Sequence, residues 1–117
     1  MIELIKSSVI GDDLIQEYNL LKEDQLFECH LNNQKIGYAI IRKNETDRIY
    51  LIIAKKYQNK GYGSIIFKQL LSKINENIIC SVPFDNIRMQ RIIQKNKGIE
   101  IGRNKETIKY IIKKDNN

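Results

Sequence analysis

The sequence has no tryptophan, a single proline (Pro83) and two cysteines in 117 residues. Each shortage excludes something. Cys29 and Cys80 are too few for a disulfide scaffold, and their spacing is no metal motif, so both read as core thiols and no metal is expected. No apolar run approaches the roughly 20 residues needed to cross a bilayer. The start, MIELIKSSVIGDD, lacks the apolar core and small-residue cleavage site of a secretory signal. A soluble, cytoplasmic protein that does not engage a membrane is the expectation. There is no Pro/Gly/Ser-rich linker and no internal repeat, so residues 1–117 read as one domain with one modest core. Aromatic residues are few and do not interleave with basic ones, which argues against a single-strand platform or an RNA-binding sheet.

What is present is a globular composition, 42% hydrophobic and 29% charged, with a formal net charge of +6. A basic balance permits nucleic acid, an anionic surface or a phosphate-bearing small molecule as partner. Position narrows the choice. The stretch KKYQNKGYGSIIF, residues 55–67, carries Lys55, Lys56 and Lys60 with two glycines and no acidic side chain. By contrast Arg88, Arg91, Lys95 and Lys97 read as the solvated face of a helix.

Apolar spacing orders the elements around that stretch. A first strand is expected over residues 2–6. A helix follows from the Gly11-Asp12-Asp13 start, with Leu14, Ile15, Tyr18 and Leu21 on one face. LFECHL, KIGYAIIRK and RIYLIIA then form an antiparallel meander, with turns at NNQ and NETD. Ile66, Phe67, Leu70, Leu71 and Ile74 give a helix over residues 64–74 one apolar face, and NIICSV reads as a central strand. That strand–helix–strand order predicts RIYLIIA and NIICSV lying parallel across a right-handed crossover. A further helix starts near Asp85 or Asn86 and runs to about Asn96, and IEIGR with TIKYIIKK closes as a hairpin. The expected class is α/β (α+β), with a mixed, mostly antiparallel sheet of about seven strands, one parallel crossover and about three helices.

The glycines fall between a buried strand and the first turn of a helix, where free backbone N–H groups and the positive end of the helix dipole converge. Without a Cβ, Gly61 and Gly63 permit a sharp turn and close approach of a bulky anion. A phosphate or pyrophosphate cradle follows. It is not a Walker loop, since the chain has no Gly-Lys-Ser/Thr, and it lacks the third glycine and the parallel sheet of a dinucleotide fingerprint.

The motif that remains is Gln-x-x-Gly-x-Gly, QNKGYG at 58–63, after a meander and before a crossover helix. Here the sequence resembles the GNAT superfamily of acyl-CoA-dependent N-acyltransferases. The likeness extends to Tyr57, to Ile53 five residues before the glutamine, and downstream to VPFDNIRMQRIIQKNKGIEIG, so element order agrees over nearly the whole chain. The resemblance implies that backbone amides of Asn59, Lys60, Gly61, Tyr62, Gly63 and Ser64 bind the pyrophosphate of CoA, with Gln58 opening the segment. It implies that the main chain of Leu51, Ile52 and Ile53 pairs with the pantetheine arm, and that an amide there stabilises the oxyanion. For this the strand must splay from its parallel neighbour. Asn86 matches the family's asparagine that bonds the cofactor near its thiol end, and it equally suits a helix N-cap.

The implied activity is direct transfer of an acetyl group from acetyl-CoA to a primary amine in a ternary complex. The sequence departs from the family where many members carry a tyrosine acid, because Ile93 stands there. A glutamate base used in one subgroup would fall near Ser81. Glu28 and His30 share a strand face and stand as alternatives to solvated residues, while Tyr38, Tyr50 and Tyr110 read as packing residues, so no catalytic acid or base is assigned. The second reading is therefore a regulator or sensor that binds acyl-CoA without turnover. The acceptor is an amine of a small molecule or a protein, nucleic acid enters only as carrier of an acceptor, and a homodimer stays open.

Overall fold

The computed structural model describes residues 1–7, 24–42 and 48–114. The helix expected from Gly11 and the turn at NETD lie outside the described residues. Within them the order is β1 (Ile2–Ser7), β2 (Gln25–Leu31), β3 (Gln34–Arg42), β4 (Arg48–Ile53), a 3-10 turn (Lys55–Tyr57), α1 (Tyr62–Ser72), β5 (Ile78–Pro83), α2 (Ile87–Lys95), β6 (Ile99–Arg103) and β7 (Thr107–Ile112). The fold is α+β, with seven described strands and two described α-helices.

The strands form two ladders, β1-β2-β3-β4 and β5-β7-β6, and every described pairing is antiparallel. The expected parallel pair therefore takes a different form. β4 and β5 touch, but no ladder joins them, and β5 lies at the edge of its sheet rather than at its centre. A local reason is visible on β4. The carbonyl of Ile53, which a neighbouring strand would need, accepts a hydrogen bond from the Gln58 side chain at 2.9 Å.

The meander is closed by its turn chemistry. Asn32 and Asn33 join β2 to β3 with φ of 51° and 69°, the doubly positive pair of a type I′ hairpin, which asparagine tolerates. Alternation then sorts the side chains. Phe27, Cys29, Ala39, Ile41 and Ile49 face a core completed by Ile66, Phe67 and Leu70 of α1 and by Met89, Ile92 and Ile93 of α2. Each fully buried aliphatic contributes about 1.5–3 kcal/mol, so these two helices are held by their apolar faces more than by propensity. The opposite face of the first sheet gathers Leu26, Tyr38, Ile40 and Ile52 into a smaller cluster. Both cysteines are buried and outside any disulfide, and burial pushes the Cys29 thiol up to about 12, which makes it a core residue without reactivity.

Candidate functional site

The open seam between β4 and β5 runs into the loop that starts α1, and three adjoining cavities follow that path. The smallest, about 80 Å³, is a wedge lined by Ile49 and Tyr50 of β4, by Cys80–Pro83 of β5, and by Asn86, Met89 and Ile93. The second, about 180 Å³, adds Leu51, Ile53, Gln58, Gly63 and Arg88. The third, about 370 Å³, lies between residues 57–64 and the exposed flank of α2. Because neighbouring cavities share lining residues, they form one groove.

β4 supplies one wall as an edge that no described strand pairs. The Ala54 N–H donates to Ile36 O at 2.8 Å, so by alternation the backbone of Ile52 points toward β3 while that of Leu51 and Ile53 points toward the groove. Of the three residues expected to present their main chain, Leu51 and Ile53 offer it to the groove. Gln58 has taken the Ile53 carbonyl, which ties the loop to the strand end and leaves the Ile53 N–H and both backbone groups of Leu51 facing the seam.

The loop positions the helix start by two backbone choices. Asn59 has φ of 61°, and Gly61, the N-cap of α1, has φ of 82°. A side chain at Gly61 would meet open space, so its glycine serves the left-handed backbone. Gly63 differs from expectation. Its φ is ordinary, and a Cβ there would come within 3.3 Å of Ile92 Cδ1 and 3.7 Å of Ile53 Cδ1. Gly63 therefore lets α1 lie close to α2 and β4. The helix begins at Tyr62, two residues earlier than expected, because the residue that caps it is Gly61 rather than a serine or aspartate. Among the described residues no side chain caps its N-terminus, and no acidic residue sits in its first turn, so its backbone N–H groups face the groove.

Asn86 is the N-cap of α2, with its Oδ1 accepting from Met89 N–H at 3.1 Å. Capping occupies the oxygen, and the Nδ2 end stays available as a donor to the groove that Asn86 also lines. The two roles expected for Asn86 are thus compatible on one amide.

The charges of the groove come from elsewhere than the lysine cluster. Lys55, Lys56 and Lys60 are exposed and do not line any of the three cavities. Arg88, Arg91 and Lys95 do, and they stay exposed on the helix face where the sequence placed them. Arg88 Nη2 donates to Asn59 Oδ1 at 3.0 Å and so bridges α2 to the loop. Among the described residues no Asp or Glu lines this cavity. The signal available in the sequence was the spacing i, i+3, i+7, which puts the three cations on one helix flank.

The candidate acid and base residues do not converge. Ile93 is fully buried in the core and lines the apolar end of the wedge. Glu28 and His30 pair with each other at 3.0 Å, and Ser7 Oγ donates to Glu28 at 3.0 Å. The bond with His30 holds the Glu28 carboxyl below the usual carboxylate range, with smaller help from Ser7 and Lys35 against desolvation. Neither residue lines the groove. Tyr38 and Tyr110 are buried, whereas Tyr50 and Ser81 line the wedge.

A meander, a strand seam opened toward a glycine-turned helix start, and a second helix flanking the groove define an acyltransferase-type α+β domain. The sequence profile of the acetyltransferase (GNAT) family matches residues 5–99, and the chain belongs to that family. Among solved structures, the fold is similar to the N-acetyltransferase PseH of Campylobacter jejuni in complex with acetyl coenzyme A, at 12% identity and a TM-score of 0.74, over 98% of this chain and 100% of that one. It is also similar to a GNAT acetyltransferase from Elizabethkingia anophelis with acetyl-CoA bound, at 18% identity and a TM-score of 0.71, over 96% and 97% of the two chains. An acetyltransferase of Bacillus subtilis in complex with CoA matches at 15% identity and a TM-score of 0.72, again over 96% and 97%. Comparison with curated proteins finds no match.

Proposed function

We propose that the protein is an N-acetyltransferase that moves the acetyl group of acetyl-CoA directly to a primary amine. The observation that carries this reading is the open edge of β4 leading straight to the uncapped N-terminus of α1. Acetyl-CoA, a substrate here, fits the groove by chemistry. Its pyrophosphate suits backbone N–H groups in a cavity that no described carboxylate lines, and its amide-bearing arm suits a strand edge that no described strand pairs. In this reading the amides of Asn59, Lys60, Gly61, Tyr62, Gly63 and Ser64 hold the pyrophosphate, and Gln58 fixes the loop rather than the ligand. Leu51 and Ile53 pair with the arm, and Asn86 Nδ2 donates near the thiol end.

The Leu51 N–H then lies where it can bond the thioester oxygen as negative charge develops on it. The amine nitrogen attacks the carbonyl carbon, the C–N bond forms, the C–S bond breaks, and the nitrogen's proton passes to solvent. The thiolate is a good enough leaving group to take its proton from water, so the reaction proceeds with Ile93 in place of a tyrosine.

That same isoleucine, fully buried, favours a second reading as an acyl-CoA-binding sensor with little turnover. Titration calorimetry with acetyl-CoA, followed by thiol detection of CoA released over a panel of small amines and lysine peptides, separates them. Binding with steady release establishes the enzyme. Binding with no release above the hydrolytic background leaves the sensor, and no binding removes both.

A further inference from the structure

The groove carries more positive charge than one pyrophosphate uses. Its outer cavity has two kinds of anion-binding group at different places. One is the backbone of residues 59–64 at the start of α1, beside which Arg88 is held by its bond to Asn59. The other is the pair Arg91 and Lys95, one and two turns further along α2, about 5 Å and about 10 Å beyond Arg88 at 1.5 Å per residue. Both side chains are exposed, and neither has a hydrogen bond or ion pair within the described residues. Lys95 also stands on the rim of a neighbouring cleft lined by Lys68, Lys97, Lys113 and Lys114, where Glu76 is the one acidic residue among the described lining residues. The positive field therefore continues outward past the loop instead of ending at it.

CoA carries a second anionic group one ribose away from its pyrophosphate, the 3′-phosphate. We infer that Arg91 and Lys95 bind that phosphate and make the protein select CoA thioesters over their 3′-dephospho counterparts. The inference rests on the acyl-CoA reading above and adds which part of the ligand is read, and by which residues. The division of labour follows from geometry. Rigid backbone N–H groups serve the linear pyrophosphate, which approaches closely. Long side chains on an exposed helix flank serve a terminal phosphate that reaches toward solvent, and a guanidinium beside an ammonium suits a dianion with three oxygens.

The test is a two-by-two titration, with CoA and 3′-dephospho-CoA as ligands, against wild type and the double variant Arg91→Gln, Lys95→Gln. Both positions are exposed, so thermal unfolding of the variant should match wild type. Wild type should bind CoA at least about ten-fold more tightly than dephospho-CoA, in line with charge-assisted contacts. The variant should lose that ratio while keeping its affinity for dephospho-CoA within about two-fold, a small change left by screened charge. Equal wild-type affinity for the two ligands overturns the inference and leaves the acyl-CoA reading standing. So does a variant that keeps the preference, or one that weakens both ligands equally. Failure of wild type to bind either ligand removes the acyl-CoA reading and the inference with it.

Discussion

At Lys97, just past the end of α2, φ is 67°, in the left-handed region where an L side chain costs about 1–2 kcal/mol. The geometry is imposed by the way the helix ends, with Lys97 N–H donating to Gln94 O at 3.1 Å and Gly98 N–H to Ile93 O at 2.9 Å. Glycine at this position would remove the strain and give back part of the gain as unfolded-chain entropy. Lys97→Gly should therefore raise stability by about 0.5–1 kcal/mol, or roughly 2–4 °C in Tm, measured by thermal unfolding followed by circular dichroism. A lowered Tm would mean that the Lys97 side chain contributes more than its backbone costs. Two other residues illustrate what one letter hides. Gly61 is needed for a positive φ, Gly63 for the closeness of Ile92, and the spacing G-x-G describes both without telling them apart. Ile93 shows the reverse, because the residue that stands where many members carry a tyrosine is fully buried in the core.

The informative element is the first turn of α1. Its N-cap glycine offers no side-chain oxygen, so the helix start keeps unsatisfied N–H groups that a better-capped helix would have hidden. Ser64 occupies that turn and lines the outer cavity. Aspartate there suits the helix dipole, worth about 0.3–1 kcal/mol, and at the same time opposes an anionic ligand. Ser64→Asp should keep or raise Tm and weaken acetyl-CoA binding by about ten-fold or more, as read by calorimetry. A variant with unchanged affinity would show that the anion does not sit at this helix start. This substitution separates charge from packing, which Gly63→Asp does not, since any Cβ at Gly63 presses on Ile92. Element boundaries in the sequence fell within a few residues of those observed wherever the apolar period was strong. The start of α1 moved because a left-handed glycine makes a cap that apolar spacing does not mark.

At the scale of the molecule, two antiparallel sheets share one core but no ladder, and the groove is the gap between them. A ligand pairing with β4 and bonding to α2 at once would span that gap and stabilise the folded state by linkage. At a hundred-fold excess over Kd, acetyl-CoA should add about 2.7 kcal/mol and raise Tm by roughly 10 °C for a chain of this size, measurable by thermal scanning with and without ligand. An unchanged Tm at saturating ligand would speak against binding in the seam. The period of the apolar residues determined the strands and helices, because burial of one face is a local requirement written into spacing. QNKGYG determined that a turned helix start follows a buried strand, since its glycines and polar residues have few other uses in that position. Two things belonged to tertiary structure alone. One was how β4 parts from β5, a splay that the family resemblance implied and the residue spacing did not show, for strand pairing is decided between edges distant in sequence, here with Gln58 holding the Ile53 carbonyl. The other was the source of the groove's charge: the spacing of Arg88, Arg91 and Lys95 puts them on one exposed flank, but whether that flank borders a cavity depends on what packs opposite α2.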